Sequence, residues 1–175
     1  MTSKTTRKIA LAALVAALSL ITFVLENLLP PLFLPGARLG LSNVFILLTL
    51  IVLGWQYAFV ALLVKTVLGN LFTGNVSAIM YSIPAGVLSL SVQTLLIYFT
   101  QKVSVIAVSV SGSVINTVTQ NLVFCLVTNT AAYLSYSPYL ALIAVLSGIV
   151  VGFTVYIIIK KIPVSPSVDD NGKNT

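Results

Sequence analysis

Of 175 residues, 58% are hydrophobic and only 7% charged, whereas a soluble domain carries about 25% charged residues. So few charges cannot clothe a water-facing surface, and the bilayer is the solvent this chain is built for. Histidine is absent, and Cys125 stands alone inside an apolar run, which excludes His-based catalysis, zinc sites and disulfides within the chain. The net charge of +6 comes from dispersed basic residues flanking apolar runs. That is a pattern of cytoplasmic membrane anchoring, not of nucleic-acid binding.

The opening "MTSKTTRKIALAALVAALSL" has the look of a signal peptide, but its apolar run continues to Leu29. It is read as the first helix of the mature protein, residues 8–29. Pro30 and Pro31 stop it, since proline lacks an amide proton and clashes with the preceding turn. Residues 30–40, "PPLFLPGARLG", form an apolar loop that packs on the protein or the membrane. Residues 41–68 are either one tilted helix or two short ones broken near 54–56, "GWQ". Halves of about 14 residues are too short for an ordinary span, though a bundle interior tolerates them. Residues 69–76, "GNLFTGNV", make a turn. Helices over 77–99 (with Pro84 inside), 104–127 and 139–159 follow, with the uncharged polar loop "TNTAAYLSYSP" before the last. Residues 1–162 thus form a single six-helix transmembrane domain, and 163–175 a tail disordered by composition.

Charge sets the orientation. Lys4, Arg7 and Lys8 place the N-terminus in the cytoplasm. Six helices also bring Lys102, Lys160, Lys161 and Lys173 to that side, whereas five leave one end or the Lys102 loop misplaced. Both termini are therefore expected in the cytoplasm of a multi-pass cell-membrane protein.

Ionisable groups inside a bilayer are costly and mark function by default. Three qualify: Glu26 in the last turn of the first helix, Arg38 in the first outer loop, and Lys65 near the outer end of the third helix. Glu26 can pair with either cation. The surplus positive charge suits an anionic or electron-rich ligand, with Arg38 as a planar fork and Lys65 as a point charge; Lys65 can instead snorkel to the interface. Uncharged hydrogen-bonders gather around them: Asn43, Asn70, Asn75, Ser77, Tyr81, Asn116 and Gln120. Asn116 and Gln120 are four apart and share one face, which Ser109 and Gly112 continue. These side chains serve either as glue between helices or as the lining of a ligand pocket. In the second case Gly36 and Gly40 let the first outer loop bend and carry Arg38 over the mouth. In the first helix Ala12 and Ala16, and Ala13 and Ala17, are four apart. This small-residue stripe permits close helix approach, either internally or to another membrane subunit.

With these residues in view, the chain resembles the substrate-binding S components of energy-coupling-factor (ECF) vitamin transporters. More narrowly, "LENLLPPLFLPGARLGLSNVFILL" and "LLVKTVLGNLFTGNVSAIMYSIPAGVLSL" resemble the Gx transporter family, whose members often carry the label heptaprenyl diphosphate synthase component I. The resemblance covers residues 8–160. Its most specific parts are the PG-[KR]-LGL-[AS]-N block and "LFTGNVSAIMYSIPAG". It implies an all-α membrane protein, a six-transmembrane-helix bundle of the ECF S-component fold. It also implies that Ala12, Ala13, Ala16 and Ala17 meet a coupling subunit, and that Arg38, Gly40 and Asn43 belong to a loop closing over the ligand. Lys65 stands where that family usually has a basic residue. Asn116 stands where histidine is expected, which puts a proton-linked role there in doubt.

The resulting expectation is a substrate-binding membrane protein for uptake of a small nutrient or a quinone or isoprenoid precursor, anionic or aromatic. Its substrate site draws on Glu26, Arg38, Gly40, Asn43, Lys65, Asn70, Asn75, Tyr81, Asn116 and Gln120, without metal or cofactor. No G-x-x-x-x-G-K-[ST] motif is present, so energy comes from two partner ATPases through a membrane coupling subunit (the T component), or the protein acts alone as a facilitator. A rival reading is a non-catalytic membrane partner in polyprenyl diphosphate or menaquinone side-chain synthesis; a third is an assembly subunit of a larger complex. An enzyme is not expected. Prenyl synthases need aspartate-rich sites for Mg²⁺ and diphosphate, and the only aspartates are Asp169 and Asp170 in the tail.

Overall fold

The computed structural model describes residues 2–28, 40–99 and 103–161. The loop carrying Gly36 and Arg38, Lys102 and the tail 163–175 lie outside the described residues. The described residues form six helices: α1 (Thr2–Leu28), α2 (Ser42–Val52), α3 (Trp55–Phe72), α4 (Ile79–Phe99), α5 (Val105–Thr128) and α6 (Ser137–Lys161). Two short 3₁₀ pieces, Val76–Ala78 and Ala131–Tyr136, precede α4 and α6. No strand occurs among the described residues.

The open question over residues 41–68 resolves as two helices. Gly54 has φ +96°, a backbone conformation that glycine adopts without a Cβ penalty. The amides of Leu53 and Gly54 both fold back onto the Thr49 carbonyl, at 2.8 and 3.1 Å. That closes α2 after 11 residues, roughly 17 Å at 1.5 Å per residue, well short of a hydrocarbon core of about 30 Å. α2 survives at this length because it is the interior helix. Ser42, Val44, Ile46, Leu47, Thr49 and Leu50 are all buried, where α2 packs on α1, α3 and α6.

The other five helices are long and apolar enough to cross a membrane. Their outward faces carry large apolar side chains, such as Leu14, Phe99, Leu126 and Leu142. Exposed on this scale in water they would drive aggregation; in lipid they are the solvated surface. The chain is a multi-pass membrane protein.

α4, α5 and α6 run antiparallel in sequence, as the cross-contacts require. Ser82 meets Gln120 and Ser89 meets Gly112 across α4 and α5. Asn121 meets Ser137, while Gly148 and Gly152 lie on Val110 and Ile106, across α5 and α6. The Gly148–Gly152 pair is a small-xxx-small spacing that lets two backbones approach. A Cβ at either glycine would stand 2.7 Å from an α5 Cα.

α1 splits its small residues between two faces. Ala16 is 8% exposed and joins the core, Ala12 is half-buried, and Ala13 and Ala17 are exposed. Ala12, Ala16, Ser19 and Phe23 follow a helical i, i+4, i+7, i+11 stripe, and the Ser19 hydroxyl donates to the Ser42 carbonyl at 2.9 Å. The four alanines therefore do not share one face. Ala12 and Ala16 turn toward the fold's own interior, and Ala13 and Ala17 away from it.

Candidate functional site

A cavity of about 100 Å³ opens inside the bundle, and every helix contributes to its wall. α1 brings Phe23 and Glu26, and Ser42, Asn43 and Ile46 come from α2 with Gly40 just before it; Leu62, Lys65 and Thr66 come from α3. α4 contributes Ser82, Gly86, Ser89 and Gln93, spaced 4, 3 and 4 apart so that they form one face. From α5 come Ser109, Gly112, Ser113, Asn116, Thr117 and Gln120, opposite Ser147 and the apolar Leu140, Ile143, Ala144 and Val151 of α6.

At one end of the cavity α1 and α2 meet. Glu26 Oε1 accepts the Leu41 backbone N–H at 3.1 Å, so the carboxylate caps a loose amide at the start of α2. Gly40, with φ +68°, makes the bend that permits this; a Cβ there would crowd Asn43 and Ser147. Lys65 is 5% exposed. Its Nζ donates to Asn43 Oδ1 at 2.7 Å and lies 5.8 Å from the centre of the Phe23 ring, within cation–π range. The ammonium is thus turned into the bundle rather than toward an interface. Phe23 is seated over Gly69, where any Cβ would overlap its ring. Six of the ten expected site residues, Glu26, Gly40, Asn43, Lys65, Asn116 and Gln120, line this one cavity.

Three do not, and Arg38 lies outside the described residues. Asn70 is fully buried one turn beyond Thr66. Its Nδ2 donates to the Thr66 carbonyl at 2.7 Å, and its Oδ1 has no partner among the described residues. Asn75 sits in the turn after α3, where its Oδ1 accepts from Ser77 at 3.1 Å. Tyr81 packs edge-on against Phe124, ring centres 5.4 Å apart, which is α4–α5 packing. These three are corrections to the expected lining: two sit in or near the α3–α4 turn, and Tyr81 is one residue out of phase with the Ser82 face.

The serine face of α4, Gln93, and the Ser113, Thr117 and Ser147 hydroxyls were not singled out from the sequence. Their signal was the spacing of 82, 86, 89 and 93, hidden because serine also occurs on lipid-facing positions. Ser91, Ser111 and Thr154 show this: each bonds the carbonyl four residues back and needs nothing else.

Six helices, five of them of spanning length, around a polar cavity define a helical multi-pass membrane protein. The family model for heptaprenyl diphosphate synthase component I matches residues 15–158, and the chain belongs to that family. Comparison with curated proteins and with solved structures gives no match.

Proposed function

We propose that the protein is a membrane substrate-binding subunit of the S-component type, which holds a small polar molecule in the cavity between its helices for uptake. The observation that carries this reading is the cavity itself. A polar chamber lined by an ammonium, a carboxylate, several amides and a series of serines is expensive to maintain inside a lipid-facing bundle. A protein that served only as a membrane scaffold gains nothing from it. Energy enters through a separate coupling subunit and its ATPases, since the chain carries no phosphate-binding loop of its own. The exposed Ala13–Ala17 face of α1 is the flat surface on which that subunit docks.

A second reading follows from the family's name: a non-catalytic membrane partner of a prenyl synthase. The cavity argues against it as a prenyl-chain site, because about 100 Å³ is far too little for a seven-unit isoprenoid. Affinity purification of the full chain from its native membranes separates the two readings. Recovery of a transmembrane coupling subunit with ATPases is the expected result. Recovery of a soluble, aspartate-rich prenyl synthase in their place would establish the second reading.

A further inference from the structure

The end of the cavity remote from Glu26 has its own chemistry. Ser109 is 1% exposed and lines the cavity, and its hydroxyl has no hydrogen-bond partner among the described residues. This is unlike the lipid-facing hydroxyls. Ser91, Ser111 and Thr154 fold back onto their own helices at 2.8 Å, the usual refuge of a hydroxyl in a membrane helix. One turn along α5, Gly112 has no side chain, and Gln93 of α4 occupies that space: a Cβ at 112 would run into the Gln93 carboxamide. Gln93 is 8% exposed and also lines the cavity. The neighbouring Gly112 carbonyl is engaged by Ser89 at 2.7 Å.

A buried hydroxyl left without a partner is destabilising, and hydrocarbon offers no substitute for the missing bond. Folding alone favours alanine at 109. The groups placed here are those a ligand must satisfy.

We propose that Gln93 and Ser109 form an uncharged recognition pole for the cis-amide edge of a small cyclic amide or imide. This deepens the substrate-binding reading above and rests on it. A primary carboxamide presents N–H and C=O side by side, and the edge that answers both at once is the C=O/N–H pair of a lactam, imide or pyrimidine-type ring. Ser109 supplies a further bond as donor or acceptor. Among the described residues the charged side chains lining the cavity are Glu26 and Lys65, which lie beside α2, so an anion lodged at this end would find no counter-charge among them. A volume of about 100 Å³, below the roughly 300–1,000 Å³ of drug-sized sites, limits the ligand to a single small ring.

The test uses the full chain in lipid nanodiscs, titrated calorimetrically with uracil as the cyclic imide, and with benzoate and inorganic diphosphate as anionic probes. Uracil binds the wild type, and both Gln93→Leu and Ser109→Ala weaken it at least tenfold. Ligand-free Ser109→Ala melts no lower than wild type, because it deletes an unsatisfied hydroxyl. Uracil affinity unchanged in both variants overturns the pole. Binding of benzoate or diphosphate without uracil also overturns it, while leaving the substrate-binding reading in place. Binding of none of the three overturns the pole as well, and the substrate-binding reading is then decided by the partners that co-purify.

Discussion

Lys65 Nζ and Asn43 Oδ1 are 2.7 Å apart, and this bond ties the middle of α3 to the first turn of the short interior helix α2. It also solves the problem of an ammonium 5% exposed inside a lipid-facing bundle. The amide oxygen accepts from the charge and the Phe23 ring lies against it. Asn43 is followed by a run of apolar α2 residues buried in the core, so the bond sets where α2 stands relative to α3.

Replacing Asn43 by leucine leaves the ammonium without that acceptor. Asn43→Leu should destabilise the protein by about 1.5–3 kcal/mol, the scale of a hydrogen bond to a charged group. Asn43→Asp, which keeps an acceptor and adds an opposite charge, should lose much less. Thermal unfolding of the two variants in the same detergent checks the order; equal loss would mean that Asn43 acts by shape alone.

The α5–α6 contact is governed by missing side chains. Gly148 and Gly152 leave no room for a methyl group, and the obstructing atoms at 2.7 Å are backbone atoms of Val110 and Ile106, which cannot swing aside. Alanine at either position must push the helices apart, at about 1–3 kcal/mol for overpacking. Gly152→Ala also presses on Ser109 Cβ, 2.9 Å from the added carbon, and so displaces a cavity wall. A lowered melting temperature in both variants, with ligand retention reduced more in Gly152→Ala, is the expected pattern in a thermal-shift and retention assay.

These glycines show what the sequence did and did not disclose. Composition and apolar run length were enough for a membrane bundle, because lipid imposes its demand on every residue of a span. The break at Gly54 was foreseen as one of two options; only the +96° φ angle decides between them, since neither option disturbs the apolar pattern. Glu26, Lys65, Asn116 and Gln120 were legible because charged and amide side chains are rare in such helices. The serine face of α4 was not. Serine is common in membrane helices, and only helix-to-helix geometry distinguishes Ser89, which reaches across to Gly112, from Ser91, which serves its own helix. Likewise the four alanines of α1 gave a spacing but not a direction, and packing against α2 and α3 divided them.

That division is testable. Ala16→Trp should unfold or strongly destabilise the protein, because position 16 is part of the core and offers no space for an indole. Ala13→Trp and Ala17→Trp should leave melting temperature and gel-filtration profile unchanged, and should abolish co-purification of a membrane partner. If either exposed-face variant folds normally and keeps its partners, docking occurs elsewhere.

Antiparallel packing puts the ends of α3 and α5 on one side of the bundle, and the start of α1 and the end of α6 on the other. In a Cys125→Ala background, cysteines at Val76 and Ser135 should react with an impermeant maleimide from the same side of the membrane. Cysteines at Thr5 and Lys161 should react only from the opposite side. Labelling of 76 and 135 from opposite sides would contradict the observed helix directions.

The central claim is that the polar cavity holds a small molecule, and native mass spectrometry of the protein released from its own membranes tests it most directly. Asn116 lines the cavity from α5 and makes no hydrogen bond to another helix among the described residues, so Asn116→Leu should leave the bundle intact while removing a polar group from the wall. The account predicts a discrete small-molecule adduct on the wild type that is diminished at least tenfold in Asn116→Leu, with the two melting temperatures within about 2 °C, the scale of about 0.5–1 kcal/mol. A wild type that carries no adduct, or an adduct equally occupied in both proteins, would contradict it.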